Sequence, residues 1–248
     1  MARIAIVTGG SRGIGAATAR LAAGAGYRVC LTYRNRREDA EAVVAAIARA
    51  GGEAIAVQAD LGIEADVLRL FEDTDRRLGR PDALVNNAGM LERQMRLEQM
   101  DAARLRRVFD ANVVGSFLCA REAVRRMSTR HGGRGGAIVN VSSVAARLGS
   151  PGEYVDYAAS KAAVDTMTVG LAREVATEGI RVNAVRPGTI HTGIHASGGE
   201  PDRVERVKAR IPMQRGGQPE EIARAILWLL SDEASYLTGS IVDVAGGL

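Results

Sequence analysis

Seven short runs recur along the chain in which nearly every residue is apolar: 3–8, 28–33, 54–60, 83–87, 137–143, 181–187 and 240–246. A strand with one wet face alternates polar and apolar residues, whereas a strand covered on both faces reads as a continuous apolar run. These runs therefore predict a parallel sheet between two helix layers. Alanine-rich helical patterns fill the gaps at 13–24, 37–50, 64–78, 98–128, 155–178 and 219–231, several opened by acids or proline as a helix start requires. Alternating strand and helix with right-handed crossovers gives a doubly wound α/β sheet. No linker or shift of composition interrupts the series, so residues 1–248 read as a single domain.

Composition narrows the function classes. With 46% hydrophobic and 25% charged residues the chain can bury a core, which disordered chains cannot. The net charge of +4 and pI near 9.4 do not point to nucleic acid, because the arginines are interspersed with acids, as in RNRREDAEAVVAAIARA, and read as solvated helix faces. Cys30 sits in an apolar run and Cys119 in a helical pattern; two such residues are core cysteines of a reducing compartment, not a disulfide framework. The sequence opens directly on a strand and a glycine loop, and no apolar run approaches the roughly 20 residues of a membrane span. The expectation is a soluble, cytoplasmic protein with neither nucleic-acid nor membrane partners. HGGRGG at 131–136 is a loop, and 188–217, the segment least like strand or core, follows a strand's carboxyl end. Such an insertion overlies the ligand crevice of a doubly wound fold, so it is a candidate lid.

The first strand runs into TGGSRGIG at 8–15 and then into a helix. Gly9 allows the tight turn, Gly13 lets backbone approach a pyrophosphate, and Gly15 lets helix and strand pack closely. A glycine pattern alone is weak evidence, but here it has the demanded strand–loop–helix setting, with Ser11, Arg12 and Ile14 in the same loop, and it lacks the Gly-Lys-Ser/Thr of a Walker A loop. This is the Rossmann arrangement for a dinucleotide. NAD binders commonly carry an acid about 20 residues on, for the ribose 2′-hydroxyl, while NADP binders omit it and offer arginine. The second strand ends LTYRNRRED, with Tyr33 where the acid would stand, followed by Arg34, Asn35 and Arg36. The missing acid, more than Arg34 itself, favours NADP(H), because arginine grips a phosphate with a fork of donors. Arg12 is a second candidate phosphate contact.

Lys161 and Lys208 are the only lysines among 33 basic residues. Lys161 follows Tyr154 and Tyr157 in GEYVDYAASK, and on a helix both spacings share a face with it. Pro151-Gly152 places Tyr154 at or before the first turn, whereas Tyr157 lies one full turn before Lys161 and is the better-positioned partner. A phenol needs a nearby cation to exchange protons near neutrality. Lysine can also turn a compact ammonium to ribose hydroxyls and pass a proton on, whereas arginine stays protonated. Tyr154 reads as a pocket wall.

TGGSRGIG, NNAG at 86–89, NVSS at 140–143, YAASK at 157–161 and RPG at 186–188 occur in the order and approximate spacing of the short-chain dehydrogenase/reductase family, and the chain resembles it over essentially its whole length. The resemblance implies Tyr157 as general acid/base, Lys161 tuning it and holding the nicotinamide ribose, and Ser143 bonding the substrate oxygen. Asn112, in DANVVGSF, is similar to the residue that holds a relay water behind the lysine. It further implies Asp60 and Leu61 near adenine, Asn86, Ala88 and Gly89 around the adenosine ribose, and Ile190 with Thr192 near the carboxamide after the Pro187-Gly188 turn. Ser143 is preferred over Ser142 on motif register, the two pointing to opposite sides of an extended chain. Two departures stand out: the stretch from Ser143 to Tyr157 is one residue longer than common, and VAGG stands near the end where many members carry an acid before the two glycines. His191 and His195, without a third ligand, line the lid in this reading, and no metal site is expected. The implied activity is hydride transfer between NADP(H) and a small-molecule carbonyl or secondary alcohol, in the direction of carbonyl reduction. 3-Oxoacyl thioester reduction and sugar or polyol oxidation are named alternatives; an NADP(H)-binding sensor without chemistry is a remote one. Arg93, Arg96, Arg147 and Arg210 are candidate contacts for an anionic substrate or plain surface residues. Family members of this size are usually homotetramers, with a homodimer as the other form.

Overall fold

A computed structural model describes residues 2–248. In chain order the elements are β1 (Ile4–Val7), α1 (Gly13–Gly24), β2 (Arg28–Tyr33), α2 (Arg37–Arg49), β3 (Ala54–Gln58), α3 (Glu64–Arg77), β4 (Ala83–Asn86), α4 (Ala102–Phe109), α5 (Gly115–Met127) and β5 (Gly136–Val141). There follow α6 (Ala145–Leu148), α7 (Val155–Val175), β6 (Ile180–Pro187), α8 (Ile194–Ser197), α9 (Arg203–Val207), α10 (Pro219–Leu230) and β7 (Ile241–Val244). All seven strands form one parallel sheet in the order β3-β2-β1-β4-β5-β6-β7.

The two-residue period of a strand divides the core into two layers. Ala5 and Val7 of β1 pack with Leu31, Val139 and Val185 against Ala19, Ile47 and Ile226 of α1, α2 and α10. Ile4 and Ile6 pack on the other face with Leu84, Ile138 and Val182, against Leu70, Phe71, Cys119 and Met127 of α3 and α5. The absence of polar alternation in the strand sequences is thus the signature of two covered faces.

The strand order reverses between β1 and β4, and in such sheets the crevice beyond the strands' carboxyl ends receives ligands. Parallel register lines up those ends: Val7 faces Leu31 and Val85, Asn86 faces Asn140, and Val141 faces Val185. No helix among the described residues is long and apolar enough to cross a membrane.

The helix expected over 98–128 is broken. Asp101 is extended and caps α4, its carboxylate accepting from the Arg104 amide at 2.7 Å, so the helix begins one residue later. Between α4 and α5 a π turn spans Asp110–Val114 and carries Asn112. Gly115 then lets the chain press on the segment after β3; a Cβ there would meet the Leu61 Cβ at 2.8 Å. In 188–217 the chain forms α8 and α9, and its two ends are stitched together by His191 N–H donating to the Gly217 carbonyl (2.9 Å) and Gly217 N–H to that of Thr189 (3.0 Å).

Ile138 sits at the centre of the sheet with no exposed surface. Ile138→Ala is expected to lower unfolding free energy by about 2–5 kcal/mol, read as a lower urea midpoint at unchanged slope.

Candidate active site

A cleft of about 520 Å³ runs across the carboxyl ends of the central strands, from the loop after β2 to the segment after β6. At one end lies the glycine loop. Gly9 and Gly13 hold φ of 62° and 54°, the left-handed region open to glycine. A Cβ on Gly13 would stand 3.2 Å from Thr192 across the channel, and one on Gly15 would drive into the Gly9 carbonyl at 2.3 Å. No side chain caps α1, which leaves the amides of its first turn for a ligand. Tyr33, Arg34, Asn35, Arg36 and Arg12 surround the channel where β2 ends. The Arg12 pKa is lowered, first by burial and then by the like charge of Arg36. Arg36 leans on Asp39 at 3.1 Å and Arg34 only loosely on Asp60 at 3.8 Å. Two mutually repelling guanidiniums beside uncapped amides fit a ligand with several negative charges, and a dinucleotide phosphate end meets that description.

At the other end, Tyr157 and Lys161 project from α7 one turn apart, with the Lys161 Nζ 5.7 Å from the centre of the Tyr157 ring. Lys161 is buried and donates to the Val141 carbonyl at 2.9 Å, which pins α7 to the end of β5. Burial drops its pKa to about 8, with Asp165 one turn further on pulling the other way. Burial raises the Tyr157 phenol to about 12, opposed by the Ser143 hydroxyl beside it. Ser143 lies just past β5 in the cleft; its Oγ accepts from the Ala145 amide at 3.1 Å. Ser142 points away and donates to the Lys161 carbonyl at 3.2 Å, as strand alternation requires. Asn112 is fully buried behind this group: its Oδ1 accepts from Met90 N (2.7 Å), while Nδ2 donates to Met90 O (3.1 Å) and Ser160 Oγ (3.0 Å). A Cβ on Gly89 would lie 3.3 Å from both Asn112 Oδ1 and Lys161 Nζ, a tight contact at the floor of the cleft.

A family model described as enoyl-(acyl carrier protein) reductase matches residues 9–248. The chain is 61% identical to the uncharacterized oxidoreductase YgfF of Escherichia coli (strain K12), over 98% of this chain and 99% of that one. The chain belongs to the short-chain dehydrogenase/reductase family. It is therefore an oxidoreductase acting on CH–OH and C=O groups. A 3-oxoacyl-[acyl-carrier-protein] reductase of Synechocystis sp. (strain PCC 6803) is 42% identical over 100% of this chain and 97% of that protein. Among solved structures of the family, a short chain dehydrogenase from Burkholderia cenocepacia in complex with NADP is 33% identical, with a TM-score of 0.90 over 99% of this chain and 97% of that one.

The cleft of this short-chain dehydrogenase/reductase gathers Gly9, Ser11, Arg12, Gly13, Ile14, Tyr33, Arg34, Asp60, Leu61, Ala88, Gly89, Ser143, Tyr157, Lys161, Pro187, Gly188, Ile190 and Thr192 along its walls. Gly15 and Asn112 stand behind the lining. Asn86 does not face the cleft: its amide donates to Asn140 Oδ1 (2.9 Å) and the Ser116 carbonyl (3.2 Å), tying β4 to β5 and α5. Neighbouring residues at a strand end point oppositely, and it is Asn87 that lines the crevice while binding the Thr8 and Gly9 carbonyls at 2.8 and 3.1 Å. Of the four candidate arginines, Arg147 is spent on Asp243 (3.1 Å) and the Leu248 carbonyl (3.0 Å), and Arg96 on Glu98 (2.5 Å). Arg93 and Arg210 lie outside the lining. Among the described residues no group of three His, Cys, Asp or Glu is placed to hold a metal ion.

Sequence reasoning missed a buried ion pair. Arg104 of α4 grips Asp156 with Nε at 2.7 Å and Nη2 at 3.3 Å, both side chains being almost wholly buried, and its Nη1 donates to the Arg93 carbonyl at 2.6 Å. Asp156 Oδ1 also accepts from the Tyr157 amide at 2.9 Å. The pair thus fixes the first turn of α7, from which Tyr157 projects. Asp156→Asn strands a buried guanidinium and is expected to cost about 3–5 kcal/mol of stability, measured by chemical denaturation.

Proposed function

We propose that the protein is an NADP(H)-dependent carbonyl reductase. The observation carrying the cofactor preference is Tyr33 at the end of β2, in the cleft, with Arg12, Arg34 and Arg36 around it and no carboxylate at that position. A 2′-phosphate carries nearly two negative charges, which an acid there would repel and which these guanidiniums attract. The glycine loop and the amides of α1 hold the pyrophosphate, Asp60 and Leu61 flank the adenine, and Ile190 with Thr192 meet the nicotinamide end. When bound, the cofactor supplies the hydride.

The chain's own residues handle the oxygen. A Tyr157 pKa near 12 leaves the phenol protonated at neutral pH, the form needed to donate a proton to a carbonyl oxygen as it gains negative charge. Ser143 donates a second hydrogen bond to that oxygen. Lys161, with a pKa near 8, is mostly an ammonium at neutral pH; its charge stabilises the phenolate left behind, and it can pass a proton onward. Asn112 holds the Met90 backbone and Ser160 in place behind the lysine. The segment 188–217 closes over the cleft as a lid.

Tyr157→Phe is expected to retain NADPH binding, followed by fluorescence titration, and to lose about 10²–10⁴-fold in kcat on any ketone the native enzyme reduces; retained turnover removes the assignment. The native protein should bind NADPH more tightly than NADH, with Tyr33→Asp reversing the order; an NADH preference in the native protein overturns the cofactor reading. Because Lys161 loses its proton first, kcat for reduction should be level below pH about 8 and fall above it. A profile flat to pH about 10 would show that the ammonium is not required.

A further inference from the structure

Asp165 is a buried carboxylate, 6% exposed, one helical turn beyond Lys161 on α7. Side chains on a helix tilt toward its N-terminus, so residues four apart share a face and the later one reaches back over the turn that carries the earlier. Asp165 therefore leans toward the turn of Lys161. The sheet fixes the same neighbourhood from below. Lys161 donates to the Val141 carbonyl, and Asp165 accepts from Arg186 Nε at 2.9 Å and Nη2 at 2.8 Å. Val141 faces Val185 in the β5–β6 register, so the two anchors stand on adjacent strands one register position apart.

The carboxylate is only half engaged. Arg186 holds Oδ2, while Oδ1 is buried without a hydrogen-bond partner. A bare, buried, charged oxygen is costly unless cations nearby offset it. Arg186 is itself shared: it opposes Asp243 of β7, its partner in the β6–β7 register, at 3.6 Å, and Asp243 also takes Arg147 of α6 at 3.1 Å. The other charges that face this part of α7 are closed on each other, Arg104 of α4 on Asp156 and Glu122 of α5 on Arg125 and Arg126. β5 and the π turn bring neutral groups to the ammonium, the Val141 carbonyl and the Asn112 amide, and the Tyr157 phenol with its raised pKa is neutral as well. Burial lowers the pKa of Lys161 to about 8, and Asp165 opposes that fall.

We propose that Asp165 is a positioning residue for the reaction: its carboxylate keeps the Lys161 ammonium charged beneath the cleft, and the Arg186–Asp243 pair behind it sets how much of its negative charge reaches the lysine. The series Asp243, Arg186, Asp165, Lys161 alternates in sign, so removing one charge acts on the lysine with a sign set by its place in the series. Loss of Asp165 weakens the hold on the lysine proton directly. Loss of Asp243 weakens it indirectly, because Arg186 then answers Asp165 alone. Loss of Arg186 strengthens it. The inference rests on the carbonyl-reductase reading, in which the ammonium stabilises the Tyr157 phenolate, and deepens it.

Because Lys161 and Lys208 are the only lysines, protein carrying lysine labelled at the ε-carbon gives two side-chain NMR signals, assigned with Lys208→Arg, and the titration of Lys161 is read directly without cofactor or substrate. Asp165→Asn, which keeps the side chain's shape, is expected to lower the Lys161 midpoint by about 0.5–1 on the pH scale, Asp243→Asn to lower it by about half as much, and Arg186→Met to raise it. An unchanged midpoint in Asp165→Asn, or a fall in Arg186→Met as well, marks a packing role only and overturns the proposal. If Asp165→Asn does not fold, an unchanged midpoint in Asp243→Asn overturns it instead. The falling limb of kcat against pH, measured with NADPH and any ketone the native enzyme reduces, should move with the midpoint. Midpoints that shift as expected while the limb stays in place, or with no ketone turned over, uphold the hold of Asp165 on the lysine and remove the reductase reading of its ammonium.

Discussion

The ammonium of Lys161 is a charge taken out of water, and the architecture around it is what makes that tolerable. An isolated buried charge is expensive unless polar groups replace its hydration. The Val141 carbonyl, at the end of β5, supplies one such group at 2.9 Å, while the strand is paired along its length with β4 and β6. Asp165, one turn along α7, supplies long-range compensation while its own charge is bound by Arg186 at 2.8 Å. The docking of α7 onto the sheet, the length of β5 and the register with β6 therefore converge on one nitrogen. That nitrogen in turn fixes the side from which Tyr157 meets the cleft.

A second set of constraints keeps the floor of the cleft open. The π turn between α4 and α5 inserts an extra residue into the helical count, which places Asn112 inward with its backbone geometry changed but its side chain fully bonded. Gly89 opposite it has no Cβ to crowd Lys161 Nζ at 3.3 Å. Arg104 and Asp156 join α4 to α7 through a buried pair, and Asn112 of the π turn ties to α7 through Ser160. Breaking either contact loosens the same joint.

Much of this was legible in the sequence for identifiable reasons. The seven continuous apolar runs gave the two-sided parallel sheet, since burial on both faces leaves no polar alternation. Tyr157 and Lys161 were readable because helix periodicity is local and Pro151-Gly152 marks where the helix can begin. Strand alternation said that Ser143 and Ser142 diverge, and the register of the family motif, not alternation, favoured Ser143. What failed was not local. Whether Asn86 or Asn87 faces the crevice depends on where β4 stops, and a boundary error of one residue inverts the answer. The break in 98–128 depends on Asp101 capping and on Leu61 pressing against Gly115 from another layer. The partners Arg104 and Asp156 are 52 positions apart, and in a chain with so many arginines no single one announces its carboxylate.

That abundance of arginine also explains where recognition cannot come from. Most of the chain's guanidiniums are paired on the surface, as Arg37 is with Glu41 and Arg215 with Glu221, and each such pair contributes only about 0–1 kcal/mol. Their collective effect is to cancel charge locally, so that the substrate mouth, where Arg203 and Arg206 meet Glu153 and Glu200, holds a closed ionic cluster. The nucleotide end differs: Arg12 and Arg36 repel one another and Arg34 has only a distant acid, so positive charge there is left over. One cleft thus has an electropositive end suited to phosphate and a neutral end suited to uncharged polar or apolar groups.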